Sequence, residues 1–308
     1  MKILITGGAG FVPSSLADLL LTNKDVEVVL VDNFLTGRKE NIPVHTRARF
    51  IKCDVNNYNE IAPIVTAFRF DYIFHYAAVV GVKRTLDNPV MVLNDIQGIK
   101  NILELAKSTG VKRVFFSSSS EVYGEPVHLP QHEHTTPLNS RLPYAVVKNV
   151  GESFCRSYQQ EFGLDFTIFR FFNTYGPKQS SDFVITRFID AALAGRDITV
   201  YGDGQQTRTF CFIDDNAEAC INALLKNLFV NDVVNVGNDK AITILELTQT
   251  IIKLTGSTSK IVHLPPLPEG DMTRRQPDIQ NMKQLLERDF TSLEDGLNKI
   301  IALKKDNK

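Results

Sequence analysis

The chain has 308 residues, of which 43% are hydrophobic, so it is long enough to bury a large core in one or two domains. Its 34 lysines and arginines are balanced by 35 aspartates and glutamates, and the net charge of −1 argues against a protein that tracks nucleic-acid phosphates. No apolar stretch approaches the roughly 20 residues that a membrane-spanning helix needs.

The first residues of the chain and its four cysteines indicate where the protein is located and whether it forms disulfides or binds zinc. The first residues, Met1 to Gly8, lead into a strand and a turn, a pattern unlike that of a signal peptide. No Cys-x-x-Cys spacing occurs among Cys53, Cys155, Cys211 and Cys220, which argues against a disulfide framework and a zinc ribbon. We therefore expect a soluble cytoplasmic protein with no metal site and no nucleic-acid or membrane partner.

Short β-rich runs alternate with helical patterns through the first half of the chain. The runs are almost continuously apolar, as in strands buried on both faces, and they lie at Lys2–Thr6, Val26–Val31, Phe50–Cys53, Tyr72–Ala78, Arg113–Ser117 and Phe166–Phe172. The clearest helical patterns lie at Ser14–Leu21, Met91–Thr109 and Tyr144–Phe162. Repeated strand–helix–strand units predict an α/β fold with a Rossmann-like, doubly wound parallel sheet.

The regular alternation ends near residue 173, where residues 173–177 have the composition of a turn. Shorter elements follow, with helical patterns at Thr243–Leu254 and Leu293–Leu303 and a proline-rich loop at Leu264–Glu269. We predict one domain over residues 1–173 and a smaller C-terminal α/β lobe over residues 174–308, with segments that can interleave across this boundary.

A glycine-rich turn directly follows the first strand, with Gly7 and Gly10 ahead of Phe11 and Val12 at the start of a helix. Glycines let the backbone approach a pyrophosphate, which the helix N-terminus attracts. A tight turn without a ligand would use the same residues, but its place after the first strand favours nucleotide binding. Pro13 stands where a third glycine is usual, and we expect its ring to crowd the helix against the strand and to weaken cofactor binding.

Two aspartates follow the second and third strands. Asp32 lies about 20 residues beyond the glycines, where a carboxylate accepts hydrogen bonds from ribose hydroxyls and repels a 2′-phosphate, so NAD is favoured over NADP. Asp54 is placed to contact the adenine or simply to form a turn.

Tyr144 and Lys148 lie one helical turn apart on one face of a predicted helix. A neighbouring ammonium stabilises a phenolate and lowers a phenol pKa that starts near 10. The fifth strand ends in the run from Ser117 to Gly124, at the edge where such sheets bind ligands. A polar strand exit would have the same composition, but the order of these signals favours a catalytic site.

The chain resembles the extended short-chain dehydrogenase/reductase family, in particular its NAD-dependent nucleotide-sugar epimerases, dehydratases and decarboxylases. The resemblance covers nearly the whole chain. Its motifs are Thr6–Val12, Asp32–Phe34 with Thr36–Arg38, Ser119–Gly124, Tyr144 with Lys148, Phe172–Pro177, Gln206–Phe210 and Arg274–Asp278.

This resemblance implies a chemical role for each member of the catalytic group. Tyr144 would remove the proton of the sugar C4 hydroxyl, with Ser119 bridging and Lys148 setting the phenol pKa. Hydride would pass from C4 to bound NAD and leave a 4-keto sugar. Ser120 and Glu121 would lie beside the reacting sugar.

The same resemblance implies binding residues in both parts of the chain. Residues 1–173 would bind NAD, through Gly7, Gly10, Phe11, Val12, Asp32, Asn33, Asp54, Val55, Ala77, Ala78, Asn94 and Lys148. Residues 174–308 would bind most of the nucleotide sugar, and the implied substrate contacts are Lys83, Asn173, Tyr201, Arg208 and Arg275. Of these, Asn173 and the two arginines would hold the diphosphate.

The step after C4 oxidation stays open between three reactions. The 4,6-dehydratases of the family carry Asp-Glu where this chain has Ser120 and Glu121, and a serine is a poor acid. The decarboxylases acting on UDP-glucuronate carry Ser-Glu there, whereas residues His75–Pro89 resemble the epimerases. We expect a UDP-sugar 4-epimerase, with a UDP-glucuronate decarboxylase or a dehydratase as alternatives.

A non-enzymatic role as an NAD-binding sensor or scaffold is a further alternative. The intact Tyr144, Lys148 and Ser119 argue against it, and only Pro13 favours it. The helices Met91–Thr109 and Tyr144–Phe162 match the pair that forms a four-helix dimer interface in the family, so we expect a homodimer.

Overall fold

A computed structural model describes residues 1–265 and 274–306, and of Val82 and Lys83 it describes the backbone alone. The strands of these residues are β1 (Lys2–Thr6), β2 (Glu27–Asp32), β3 (Ala48–Lys52), β4 (Tyr72–His75), β5 (Arg113–Ser119), β6 (Asp165–Phe171), β7 (Thr174–Tyr175), β8 (Ile198–Tyr201), β9 (Thr207–Thr209), β10 (Cys211–Phe212), β11 (Asp232–Val236), β12 (Ala241–Thr243) and β13 (Ile261–Leu264).

The α-helices of the described residues are α1 (Phe11–Leu20), α2 (Tyr58–Phe68), α3 (Val82–Asp87), α4 (Pro89–Leu93), α5 (Asp95–Thr109), α6 (Pro143–Phe162), α7 (Val184–Leu193), α8 (Ile213–Leu225), α9 (Ile244–Thr255), α10 (Gln280–Leu286) and α11 (Leu293–Asp306). Single 3₁₀ turns lie at Lys39–Asn41 and Ser120–Tyr123.

The central sheet of the described residues has seven strands in the order β11-β6-β5-β4-β1-β2-β3, and every neighbouring pair is parallel. This order confirms the predicted Rossmann-like parallel sheet. The chain reverses its direction of winding between β1 and β4, which opens a crevice at the C-terminal edge of the sheet.

Both faces of the sheet are covered by helices because its strands are apolar on both sides. Ile3 and Ile5 pack in one core with residues of α1, α8 and α10, whereas Leu4 packs in a second core with residues of α2, α5 and α6. This is the alternation that a strand buried on both faces requires.

The C-terminal part of the chain builds a smaller lobe and also contributes to the central sheet. Among the described residues, two-stranded sheets form from β7 and β10, β8 and β13, and β9 and β12. A third core joins residues of α7, α9 and α11. Strand β11 crosses back to pair with β6, so segments from beyond residue 173 lie in both parts, and the division at that residue stays a prediction.

Several predicted elements differ in their bounds from those of the structure, among them α1, which begins at Phe11 and not at Ser14, and two of the differences have a cause in hydrogen bonding. Strand β4 ends at His75 and not at residue 78, because the Thr6 hydroxyl accepts hydrogen bonds from the amides of Tyr76 and Ala77, both at 3.0 Å, and takes them out of the ladder. The helix predicted over Met91–Thr109 is divided at Asn94 into α4 and α5. The Asn94 carbonyl accepts a hydrogen bond from the amide of Gln97, three residues further along the chain. Most of the predicted proline-rich loop lies outside the described residues.

None of the helices in the described ranges combines the length and apolar character needed to cross a membrane. The four cysteines are free thiols, and all of them are buried.

Helix α6 approaches the sheet most closely at Gly151. A Cβ atom at this position would lie 2.2 Å from the Cζ atom of Phe116 on β5, so only a glycine permits this contact. The contact brings the first turns of α6 to the C-terminal end of β5.

Candidate active site

A cavity of about 580 Å³ lies at the C-terminal edge of the central sheet, at the β1/β4 crevice. All of the predicted cofactor residues line it, namely Gly7, Gly10, Phe11, Val12, Asp32, Asn33, Asp54, Val55, Ala77, Ala78, Asn94 and Lys148. The predicted catalytic residues Ser119, Ser120, Glu121 and Tyr144 line the same cavity, as do Asn173 and Arg275. The structure thus brings the two predicted groups together in one space.

The turn between β1 and α1 is closely packed at its glycines. Gly7 has a left-handed φ of +72°, and a Cβ there would lie 2.9 Å from the Ala77 backbone. A Cβ at Gly10 would lie 2.9 Å from the Gly7 carbonyl oxygen. The amides of Phe11 and Val12 open the helix, where backbone N–H groups and the helix dipole favour an anion.

Pro13 lies in the first turn of α1, where a residue without an N–H breaks no helical hydrogen bond. The helix continues through it to Leu20, and the Ser14 amide donates to the Gly10 carbonyl at 3.2 Å. Pro13 itself lines the cavity. Its effect on cofactor affinity stays a prediction.

Asp32 closes β2 with its carboxylate held by two backbone amides. The Phe34 amide donates to Oδ1 at 2.6 Å and the Ala9 amide donates to Oδ2 at 3.1 Å. Burial raises the pKa of Asp32, and these two hydrogen bonds oppose the shift. The carboxylate therefore stands fixed beside the glycine turn, where a ribose hydroxyl would find an acceptor.

Asp54 forms the turn that its sequence position allows, and its contact with the adenine stays a prediction. It lines the cavity, accepts from the Asn33 side chain at 3.1 Å, and accepts from the Asn56 amide at 2.9 Å as a turn-forming aspartate does.

The predicted catalytic pair, Tyr144 and Lys148, lies on the first turns of α6. Lys148 is buried, its Nζ lies 5.7 Å from the centre of the Tyr144 ring, and it donates to the Ser117 hydroxyl at 3.2 Å. Burial lowers the pKa of Lys148 to about 8, and the charge of Asp95 opposes this shift.

The Tyr144 phenol lies between groups that act on its pKa in opposite directions. Burial raises the pKa most, followed by the negative charge of Glu121. A hydrogen bond with Ser119 and the charge of Arg275 lower it. The phenol, Ser119 and Glu121 therefore form one electrostatic unit at the end of β5.

Glu121 and Arg275 form an ion pair inside the cavity. The Arg275 Nη2 atom lies 2.6 Å from Glu121 Oε1, and Arg275 is 7% exposed. Glu121 Oε2 is buried and has no hydrogen-bond partner among the described residues. The Arg275 side chain thus lies near the Tyr144 phenol, and the diphosphate contact that the resemblance implies for it stays a prediction.

Two predicted substrate residues, Arg208 and Tyr201, do not line the cavity in the described part of the chain. Arg208 is buried on β9 and donates to the Thr207 carbonyl at 2.8 Å, and Tyr201 on β8 lies 6.0 Å from the Arg187 guanidinium. Neither residue is among the described residues that line the cavity. The Lys83 side chain lies outside the described part of the structure. Their roles stay predictions.

Sequence reasoning missed Asp95, which lines the cavity at the start of α5. Its Oδ2 accepts from the Val79 amide at 2.7 Å and its Oδ1 accepts from the Asn56 side chain at 3.4 Å. Burial raises the pKa of Asp95, whereas the charge of Lys148 lowers it. The available signal was a charged residue on the otherwise uncharged buried face of α5.

This arrangement suits the removal of hydride from a carbon that carries a hydroxyl group. As a phenolate, which the Lys148 ammonium can stabilise, Tyr144 can accept the hydroxyl proton, and Ser119 can share that proton. The glycine turn, the α1 N-terminus and the Asp32 carboxylate have the shape and charge that a dinucleotide requires. The residues present therefore fit a nicotinamide dinucleotide.

The chain is similar to proteins of known function over nearly its full length. Residues 3–237 match the model of the NAD dependent epimerase/dehydratase family. A UDP-glucuronic acid decarboxylase 1 of Danio rerio is 38% identical over 311 residues, which are 97% of this chain and 72% of that protein.

Two solved structures give the same result in three dimensions. The UDP-glucose 4-epimerase of Thermotoga maritima, with UDP-glucose, has a TM-score of 0.94 at 30% identity and covers 100% of this chain and 99% of its own. The UDP-glucuronic acid 4-epimerase of Bacillus cereus, in complex with UDP-glucuronic acid and NAD, has a TM-score of 0.90 at 31% identity, with both chains covered completely.

We predict that Lys148→Met stabilises the fold at neutral pH. Below pH 8 Lys148 is charged in the native state, which bears the free-energy cost of burying its ammonium. Above pH 10.5, the ordinary pKa of lysine, the Lys148 side chain is neutral in both the native and the unfolded state. The free energy of unfolding should rise by about 3 kcal/mol at pH 7, since each pKa unit is worth about 1.4 kcal/mol. The gain should shrink as the pH rises from 8 to 10.5.

Urea unfolding at pH 7 and pH 10 measures this difference. The exposed Lys253 on α9 supplies the control, because Lys253→Met should change stability by no more than about 0.5 kcal/mol. Equal stability of Lys148→Met and the wild type at pH 7 would contradict the inference that the buried Lys148 ammonium destabilises the native state.

Proposed function

Because the chain belongs to the NAD dependent epimerase/dehydratase family, we propose that it is a UDP-sugar 4-epimerase that works through a 4-keto sugar. NAD is the proposed cofactor, and when bound it supplies the acceptor and donor of hydride. In this proposal Tyr144 is the base for the C4 hydroxyl, Ser119 bridges the phenol and that hydroxyl, and the charge of Lys148 stabilises the phenolate.

The Glu121–Arg275 ion pair is the observation that carries this proposal. Elimination or proton abstraction at C5 needs a free base and, for dehydration, an acid for the leaving hydroxyl. One oxygen of Glu121 is held by Arg275 at 2.6 Å, and the neighbouring Ser120 is a poor acid. The groups that remain, Tyr144, Lys148 and Ser119, are those that C4 oxidation and reduction require.

In this proposal the chain's residues hold the nucleotide while the sugar turns. Tyr144 accepts the proton of the C4 hydroxyl on the way to the ketone and returns it after the sugar has presented its opposite face. Glu121 positions a sugar hydroxyl through its free oxygen, which is buried and has no described partner. Asn173 lines the cavity and, with its side chain donating to the Thr209 carbonyl at 3.0 Å, is held in place beside the nucleotide.

A UDP-glucuronate decarboxylase is the second candidate, and Arg275 favours it. A guanidinium beside the phenol could exchange its Glu121 partner for the carboxylate of a uronic acid. Oxidation at C4 then makes that carboxylate part of a β-keto acid, which loses CO₂ readily. The similarity to the Danio rerio decarboxylase supports this alternative.

The first test incubates the protein and NAD with UDP-, GDP- and dTDP-linked sugars and uronic acids, and records product masses. We expect an isomer of unchanged mass from a UDP-sugar. Tyr144→Phe should lower kcat by about 10³-fold, the range of a lost general base, and should still bind NAD. Tyr58→Phe, which changes an exposed tyrosine of α2, is the matched control and should keep full activity.

Each departure from this result rejects a different part of the proposal. A product lighter by CO₂ would show that the protein is a decarboxylase and not an epimerase. A product lighter by water would show that it is a dehydratase. Continued conversion by Tyr144→Phe would overturn the assigned base. A wild-type protein that does not bind NAD would overturn the cofactor.

The proposed assembly is a homodimer that pairs through α5 and α6, and the proposed location is the cytoplasm, where four buried free thiols stay reduced. A groove of about 320 Å³ runs along the outer face of α6, and it is lined by Val146, Asn149, Val150, Ser153, Phe154 and Ser157. These positions recur at helical spacing, as a helix-pairing face requires.

Sedimentation at micromolar concentration should give twice the chain mass of 34.5 kDa. Val150→Arg should give the single-chain mass, because it places a charge in the groove, whereas Leu225→Arg at an exposed site on α8 should not. A wild-type mass of 34.5 kDa would refute the dimer.

A further inference from the structure

A network of buried polar groups, from side chains and from the backbone, lies behind the cavity and centres on Arg170 of β6. Arg170 is 2% exposed, and none of the network's members Arg170, Glu152, Tyr123, Glu133, Gln131 and Asn235 is among the described residues that line the cavity. The reaction derived above uses none of these side chains.

On one side the network holds the catalytic helix. Arg170 donates from Nε to Glu152 Oε1 at 2.8 Å and from Nη2 to Glu152 Oε2 at 2.6 Å. The Ser118 hydroxyl on β5 donates to Glu152 Oε1 at 2.6 Å. Tyr144, Lys148 and Glu152 are spaced four residues apart on one face of α6, so this anchor fixes the height of the catalytic pair above the strands.

On the other side the network holds the 3₁₀ turn that carries Glu121. Arg170 Nη1 donates at 2.9 Å both to the Tyr123 hydroxyl and to the Glu133 carbonyl. Tyr123 lies two residues after Glu121 in the same turn, and its hydroxyl donates to Asn235 Oδ1 at 2.7 Å. The turn is therefore tied to the same guanidinium as the helix.

A third branch reaches the segment that carries Arg275. The Asn235 side chain donates to the Gln131 carbonyl at 2.9 Å. Gln131 in turn pairs with residues 276–278, since its amide donates to the Gln276 carbonyl at 2.7 Å and its carbonyl accepts from the Asp278 amide at 2.8 Å. Arg275 directly precedes these residues and closes the circuit through its ion pair with Glu121.

We propose that Arg170 is a positioning residue that fixes the Tyr144–Lys148 pair relative to the Glu121–Arg275 pair through these three branches. The inference rests on the proposed function, since it presumes that both pairs act on one sugar. A fully buried ion pair is a poor source of stability, because desolvation offsets its attraction. A requirement for one geometry explains its presence better, since a misplacement of about 1 Å can cost 10²-fold in rate.

The test removes one hydroxyl group from the network. Tyr123→Phe keeps the buried ring and loses the contact that joins Arg170 to Asn235. We expect kcat to fall about tenfold, while the dissociation constants of NAD and of UDP stay within about twofold. The matched control is Tyr158→Phe on α6, the helix that carries Tyr144 and Lys148. It removes a hydroxyl that is hydrogen-bonded to Glu104 at 3.2 Å. Its kcat should stay within about twofold of the wild type.

A purely structural role would lower the thermal midpoint of both variants and leave the kcat of both unchanged. That result, or an equal loss of kcat in Tyr158→Phe, overturns the proposal. If Tyr123→Phe does not fold, Asn235→Ala cuts the same branch at the next residue and should give the same loss of kcat. A wild-type protein that converts no UDP-sugar would instead refute the proposed function, so the two failures are distinguishable.

Discussion

The whole site depends on how closely helix α6 lies against strand β5. At Gly151 the helix comes so near the Phe116 ring that one added carbon would lie 2.2 Å from it. At the next residue, the buried Glu152 carboxylate forms hydrogen bonds with side chains of β5 and β6. Because Tyr144 and Lys148 precede Glu152 on the same helix face, these contacts also set where the phenol and the ammonium stand above the strand ends.

The same close packing removes water from the charged groups that the reaction needs. Burial lowers the pKa of Lys148 to about 8 and raises the pKa of Tyr144, so it disfavours the charged form of each group. Asp95 partly offsets the first effect, because its carboxylate favours the Lys148 ammonium. The site is thus built at the expense of stability, and its charges interact strongly because little water screens them.

Local sequence patterns were enough to predict the parallel sheet and to place Tyr144 and Lys148 on one helix. Parallel strands are continuously apolar, and a four-residue spacing places Tyr144 and Lys148 on one face in any helix. Contacts between distant segments were not accessible in this way. The pairing of Glu121 with Arg275 depends on a segment held against Gln131, and strand β11 joins the sheet only through long-range pairing. Asp95 escaped notice because its partners, the Val79 amide and the Asn56 side chain, belong to two other loops.

The central claim is that chemistry is confined to C4 and leaves the C5 hydrogen untouched. Conversion of a UDP-sugar in D₂O, followed by mass spectrometry and proton NMR of the product, tests it most directly. Because Tyr144 exchanges only a hydroxyl proton, we predict a C4 epimer that retains all of its carbon-bound hydrogens and gains no deuterium on carbon. A product with one deuterium at C5 would contradict the account, since it would show that a carbanion forms there and that the Glu121–Arg275 pair takes part in C5 chemistry.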